Sequence, residues 1–132
     1  MNGCIFCDVV RENEPHHEIW WRNKNHIAFL DAAPSRPGHT LVIPNNHIEN
    51  ILDLYDEDYA DLMGAVKEVG NKLRAFYKVP RLGIVVEGMA IAHVHVHLIP
   101  IRNKGDLGIF SQYGVKDGEL SLLGEQLRLF LK

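Results

Sequence analysis

Two spacings of apolar residues alternate along this chain, and they predict different elements. Glu18 to Arg22 and His26 to Asp31 read as short strands, with the polar run Arg22-Asn23-Lys24-Asn25 as the turn between them. Ala33-Pro34-Ser35-Arg36-Pro37-Gly38 follows as a rigid loop, since two prolines fix φ and the glycine releases it. His39 to Pro44 reads as a third strand, rich in β-branched residues and ended by Pro44. The period then lengthens: Tyr59, Leu62, Met63, Val66, Val69, Leu73, Phe76 and Tyr77 recur at three- and four-residue steps, one apolar stripe of a long helix. Asp56 or Asp58 is the expected cap and Pro80 the stop. Gly83 to Val86 and Ala92 to Ile99 return to strand spacing, and about Leu120 to Leu131 forms an amphipathic helix weakened by Gly124. Strands, one long helix, then strands predict an α+β fold: an antiparallel sheet of about five strands with the long helix packed on one face.

Composition narrows the class. The 132 residues suit a single domain over 1–132, with no repeat or linker to divide it. A net charge of −3 and a pI near 6.2 give no general attraction to a nucleic-acid polymer or an anionic membrane, so any phosphate bound here needs a local site. No apolar run approaches the roughly 20 residues of a membrane helix. The opening residues lack the basic start and apolar core of a signal peptide, and the expected location is cytoplasmic. Cys4 and Cys7 are the two cysteines. A disulfide across so short a loop would constrain little chain entropy, and a reducing cytosol would not maintain it. Their spacing suits a shared metal, or two reduced thiols without one.

The sharpest pattern is His93-Val94-His95-Val96-His97-Leu98-Ile99-Pro100. Extended chain alternates its side chains, so the histidines project to one side while Val94, Val96 and Leu98 enter the core. Imidazole near neutral pH is a nucleophile, a proton carrier and a metal ligand. From the triplet alone, a metal site and a catalytic surface fit equally well.

Every position from His93 to Ile99 fits His-φ-His-φ-His-φ-φ, with φ apolar, and so resembles the signature of the histidine-triad (HIT) superfamily of nucleotide hydrolases and transferases. Phe29-Leu30-Asp31, leading through Pro34 to Pro37-Gly38-His39-Thr40-Leu41-Val42-Ile43-Pro44 and then His47, is similar to the family's nucleotide-binding strand and loop. Cys4-Ile5-Phe6-Cys7 resembles the opening of many prokaryotic members. The likeness spans about Cys4 to Pro100, leaving about 101–132 as a variable C-terminal tail of the HIT domain.

The resemblance implies a nucleotide hydrolase or phosphoramidase. Such an enzyme cleaves at the α-phosphate of a nucleoside phosphoramidate or dinucleoside polyphosphate, through a nucleotidyl-histidine formed on His95. A ring hydrogen bond from His95 to a backbone carbonyl is expected to keep the attacking nitrogen bare. His97 would bond a phosphate oxygen and help protonate the leaving group, and His39 would support the same pocket. Asp31 would accept the ribose hydroxyls, while Phe29 and Leu41 would wall the base of a purine nucleotide or nucleotide conjugate. The resemblance also implies a closed structural zinc on Cys4, Cys7, His47 and His93. It implies a twofold homodimer joined through the sheets and the long helix. Competing functions are a non-catalytic nucleotide-binding or protein-interaction module on this fold, and a metal protein whose triad holds one ion.

Two departures bear on activity. Many family hydrolases carry an asparagine and a Gly-Gln-Ser or Gly-Gln-Thr run before the triad. Here Glu87-Gly88-Met89-Ala90-Ile91-Ala92 is shorter and brings no hydroxyl or amide side chain. Backbone N–H groups near Gly88 are the expected substitutes. Removing one aimed donor lowers turnover about 10²–10³-fold in other enzymes, so weaker hydrolysis is expected. The tail also lacks the tryptophan-containing ending of the eukaryotic phosphoramidase branch. His97, where the nucleotidyltransferase branch has glutamine, sets the chain with the hydrolases. His16, His17 and His26 are expected to face solvent.

Overall fold

The computed structural model describes residues 3–12, 17–107 and 112–131. Its elements run α1 (Ile5–Val10), β1 (Ile19–Arg22), β2 (His26–Leu30), β3 (Thr40–Pro44), α2 (Asp56–Tyr77), β4 (Arg81–Val85), β5 (Val96–Ile101) and α3 (Glu119–Phe130), with a 3-10 turn at Ile51–Asp53. The strands make one sheet in the order β1-β2-β3-β5-β4, each neighbouring pair antiparallel. This is the α+β architecture the apolar spacing predicts.

Alternation sorts the strand side chains into two layers. Ala28, Leu30, Val42, Val96 and Leu98 form a buried cluster with Leu62, Val66, Val69 and Leu73 of α2 and Leu127 of α3. Ile27, Phe29, Leu41 and Ile43 face the opposite way and pack with Phe6 and Val9 of α1. The register carries this second face across the sheet: Phe29 pairs with Leu41, Leu41 with His97, and His97 with Val85. His97 therefore stands on the α1 face, away from α2.

Several local differences have physical causes. The triad strand was expected from Ala92, but the ladder begins only at Val96. Upstream, the backbone groups find other partners: Val94 N–H donates to the Ile48 carbonyl at 2.8 Å, and the Pro44 and His93 carbonyls accept from histidine rings. Val94 is nonetheless buried with Val96 and Leu98 under α2, so the alternation of the triplet persists outside the strand. Neither Asp56 nor Asp58 caps α2; the cap is Tyr55, without a side-chain bond, and Asp56, Glu57 and Asp58 instead set three carboxylates at the positive end of the helix dipole. The six-residue α1 is too short for its period to be read from sequence, and Cys4 caps it by accepting the Cys7 N–H on its sulfur at 3.4 Å. Gly124 lets α3 approach β1, since an added Cβ would lie 3.1 Å from Glu18 Cβ. His26, expected at the surface, is 2% exposed, with its Nδ1 3.2 Å from Asn23 Oδ1. His17 is half-buried against Phe29, and His16 lies outside the described residues.

Candidate active site

The triad does not act as one cluster. His93 turns toward the N-terminal cysteines, while His97 joins His39 and Asp31. His95 lies between them, 3% exposed, its ring edge-on to Phe6 at 5.2 Å and to His97 at 5.3 Å.

Backbone groups decide which ring nitrogens carry protons. A carbonyl only accepts, so His95 Nδ1–H donates to the His93 carbonyl at 2.8 Å, which leaves Nε2 with its lone pair free. The Ser35 N–H only donates, and it meets His39 Nδ1 at 3.0 Å. Neutral His39 therefore carries its proton on Nε2 and gives it to His97 Nδ1 at 2.8 Å. His97 in turn holds its own proton on Nε2. The chain from Ser35 through His39 thus turns His97 into a hydrogen-bond donor at its far nitrogen, beside a bare nitrogen on His95.

Electrostatics keep this relay uncharged. Burial lowers the pKa of His39, opposed by Asp31, whose Oδ2 is 3.4 Å from His39 Nε2. For His97, burial and then its neighbours His39 and His95 push the pKa down to about 4, against Asp31 and Glu87. Asp31 is itself aimed, with Oδ1 accepting the Ala33 N–H at 2.9 Å.

The second cluster has the donors of a metal centre. Cys4, Cys7, His47 and His93 present ligand atoms that all lie within 4.8 Å of one another. Sulfur-to-nitrogen separations are 3.4 Å for Cys4–His93, 3.6 Å for Cys7–His93 and 3.3 Å for Cys7–His47. A tetrahedral zinc with ordinary Zn–S and Zn–N bonds needs about 3.5 Å between such ligands. His93 Nε2–H donates to the Pro44 carbonyl at 2.9 Å, leaving Nδ1 bare toward the sulfurs. Burial and the neighbouring Cys4 raise the Cys7 thiol, a cost that a bound cation would relieve. The donor set fits zinc.

Asp31, His39 and His97 also lie close enough to suggest a metal. In the arrangement seen, the Ser35 N–H keeps the His39 proton on Nε2, the atom that faces Asp31 and His97. The triad histidines are thus divided, His93 facing the cysteines and His97 facing His39 and Asp31.

Phe29 is wholly buried and Leu41 is 4% exposed, cross-strand partners on the α1 face. Gly88 has φ +84°, and the N–H groups just after it, Met89 and Ala90, donate to Glu87 Oε1 at 3.1 and 3.3 Å. The sequence singled out Gly88 but gave no role to Glu87. It also gave none to Phe6, whose ring meets Phe29, His93 and His95. Phe6 was open to inference, because folding Cys4 and Cys7 onto His93 carries the residue between them to the triad. The tail is tied to the loop before His39, with Arg36 to Asp106 at 3.6 Å and the Tyr113 N–H to the Pro34 carbonyl at 3.2 Å.

An antiparallel sheet presenting one hydrogen-bonded histidine pair, a third histidine with a bare ring nitrogen and a thiol–imidazole set defines a class of protein, and comparison names it. The family model described as HIT domain matches residues 12–104, and the chain belongs to the histidine-triad family. It is 33% identical over 133 aligned residues to the adenosine 5'-monophosphoramidase hnt1 of Schizosaccharomyces pombe, covering 98% of this chain and 99% of that protein. Its fold is similar to that of a hypothetical histidine triad nucleotide-binding protein from Sulfolobus tokodaii, with a TM-score of 0.82, 29% identity, and coverage of 97% and 91% of the two chains. A Zn-bound histidine triad family protein from Mycobacterium smegmatis matches with a TM-score of 0.80 and 25% identity, over 98% and 93% of the chains.

Proposed function

We propose that this chain hydrolyses a nucleotide at its α-phosphate, with His95 as the nucleophile and a nucleoside phosphoramidate or dinucleoside polyphosphate as substrate. The observation that carries the reading is the His95 Nδ1 to His93 carbonyl bond of 2.8 Å, which commits Nε2 to its bare, attacking form. The 33% identity to an adenosine 5'-monophosphoramidase supports the same chemistry.

In the first step His95 Nε2 bonds to the α-phosphorus, and the bond to the leaving group breaks with its electron pair going to that group, which takes a proton from solvent. His97 Nε2–H bonds a non-bridging phosphate oxygen as negative charge gathers there. Before substrate binds, His97 is held neutral down to about pH 4, so its Nε2–H is offered as a hydrogen-bond donor. Water then displaces His95 from phosphorus and gives up its proton, yielding the nucleoside monophosphate. His39 is a positioning residue for His97. Asp31 takes the ribose hydroxyls, and Phe6, Phe29 and Leu41 wall the base. Cys4, Cys7, His47 and His93 would hold zinc, a closed set that supplies no open position for water and instead fixes α1 and the segment carrying His95. Thiols held in such a set suit a reducing cytoplasm.

A homodimer through β4 fits the exposed edge of that strand, where Ile84 is 53% exposed, with Val86 just past its end 42% exposed. A sedimentation mass of one chain at micromolar concentration would remove this assembly.

The test is hydrolysis of adenosine phosphoramidate and diadenosine polyphosphates by wild type and His95→Ala. Turnover should fall at least about 10³-fold in the variant. Nucleotide bound without turnover by the wild type would refute the hydrolase and establish the binding module instead.

A further inference from the structure

Glu87 is the one acidic residue of the loop between β4 and the triad. Val85 pairs with His97 across the sheet, so β4 delivers Glu87, two residues on, beside the triad. Its carboxylate takes the N–H groups of Met89 and Ala90 at 3.1 and 3.3 Å, immediately after the left-handed Gly88. Successive N–H groups after such a turn form an anion-binding concavity. Here the chain fills it with its own charge.

The order of the strands gives that charge a direction. Phe29 lies on β2, Asp31 just past its end and Leu41 on β3, all on one side of β5, and β4 lies on the other. With the nucleoside over β2 and β3, a leaving group directed away from His95 turns toward the β4 loop. It meets a carboxylate rather than free N–H donors.

We propose that Glu87 is a specificity-determining residue that selects α-phosphate substrates with an amine leaving group over those whose leaving group is a phosphate. This rests on the nucleotide reading of the site. The selection has two parts. An ammonium or amine gains an acceptor from the carboxylate, whereas a terminal phosphate meets like charge and a concavity already occupied.

The test compares the equilibrium affinities of two nucleotides in His95→Ala protein, which lacks the nucleophile and so reads binding without turnover; the Glu87 changes are made on that background. One is the phosphoramidate of AMP with ethylenediamine, which carries an ammonium. The other is ADP. Glu87→Gln keeps an oxygen for the Met89 and Ala90 N–H groups and removes the charge, and an exposed side chain allows the change without unfolding. The preference for the phosphoramidate should fall roughly tenfold, the contribution of one unit charge a few ångströms away in a partly solvated site. Glu87→Ala should lower it at least as far. An unchanged ratio in both variants overturns the assignment and leaves the hydrolase intact. Binding of neither nucleotide to the wild type or to His95→Ala protein overturns the nucleotide reading, and this inference with it.

Discussion

Gly38→Ala is a severe substitution for a residue that carries no chemistry. Gly38 has φ +88°, a left-handed conformation that costs an L-residue about 1–2 kcal/mol. Its missing side chain is also occupied space: an added Cβ would sit 2.7 Å from Tyr77 Cζ and 2.9 Å from Tyr77 Oη. Tyr77 is the last residue of α2 and its half-buried ring packs against the core, so making room displaces a packed side chain. Overpacking of this kind costs about 1–3 kcal/mol. Together the two effects predict a loss of about 2–5 kcal/mol, and a chain of this length should melt roughly 6–20 °C lower. Thermal unfolding followed by circular dichroism measures it. Tyr77→Leu in the same chain separates the causes, because the steric part should return in the double variant while the backbone part persists. A single variant within about 0.5 kcal/mol of wild type would refute the reasoning. So would a cost that is the same with and without the Tyr77 ring, since the clash would then contribute nothing.

Two further outcomes follow from the two histidine clusters. The folded protein should bind about one zinc per chain, and chelation or Cys7→Ser should lower its melting temperature markedly while weakening turnover only indirectly; a metal-free protein of equal stability would refute the site. His97 gives stability a defined pH dependence. Its folded pKa of about 4 lies below the unfolded value of 6.5, so the unfolded chain alone takes up a proton between these limits. Stability is therefore full above about pH 6.5 and falls toward pH 4 by about 3 kcal/mol from this group. Urea titrations of wild type and His97→Gln across that range check the sign, and a wild type that gained stability on acidification relative to the variant would refute it.

The parts of this molecule that sequence discloses are those governed by local repetition. The three- and four-residue spacing from Leu62 to Leu73 corresponds to residues buried in α2, and the alternation of Val94, Val96 and Leu98 corresponds to their place beneath that helix. The convergence of Cys4 and Cys7 with His47 and His93 was accessible only through family likeness, since the partners are separated by 40 to 89 positions. What stayed hidden depends on backbone atoms. The Ser35 N–H that sets the His39 tautomer, the Pro44 carbonyl under His93 and the N–H groups of Met89 and Ala90 belong to the main chain. Residue types at those positions do not announce them. The burial of His26 was missed for another reason: its partner Asn23 lies in the turn before it, and a polar turn reads as exposed.

The acceptor that orients His95 is the carbonyl of its neighbour but one, an atom every amino acid possesses. No point substitution can delete it. Replacing His93 by alanine removes a candidate ligand yet leaves that oxygen in the chain, so the damage such a variant suffers measures the anchoring of the segment and not the protonation of the nucleophile. Genetic drift meets the same asymmetry. A lineage could lose the N-terminal cysteines, exchange His93 and abandon the metal while the attacking nitrogen stayed bare, provided the turn between residues 93 and 95 kept its shape. Heritable control over this proton lies in backbone curvature, and the mutations able to change it are those that reshape the main chain: insertions, deletions and exchanges involving proline or glycine.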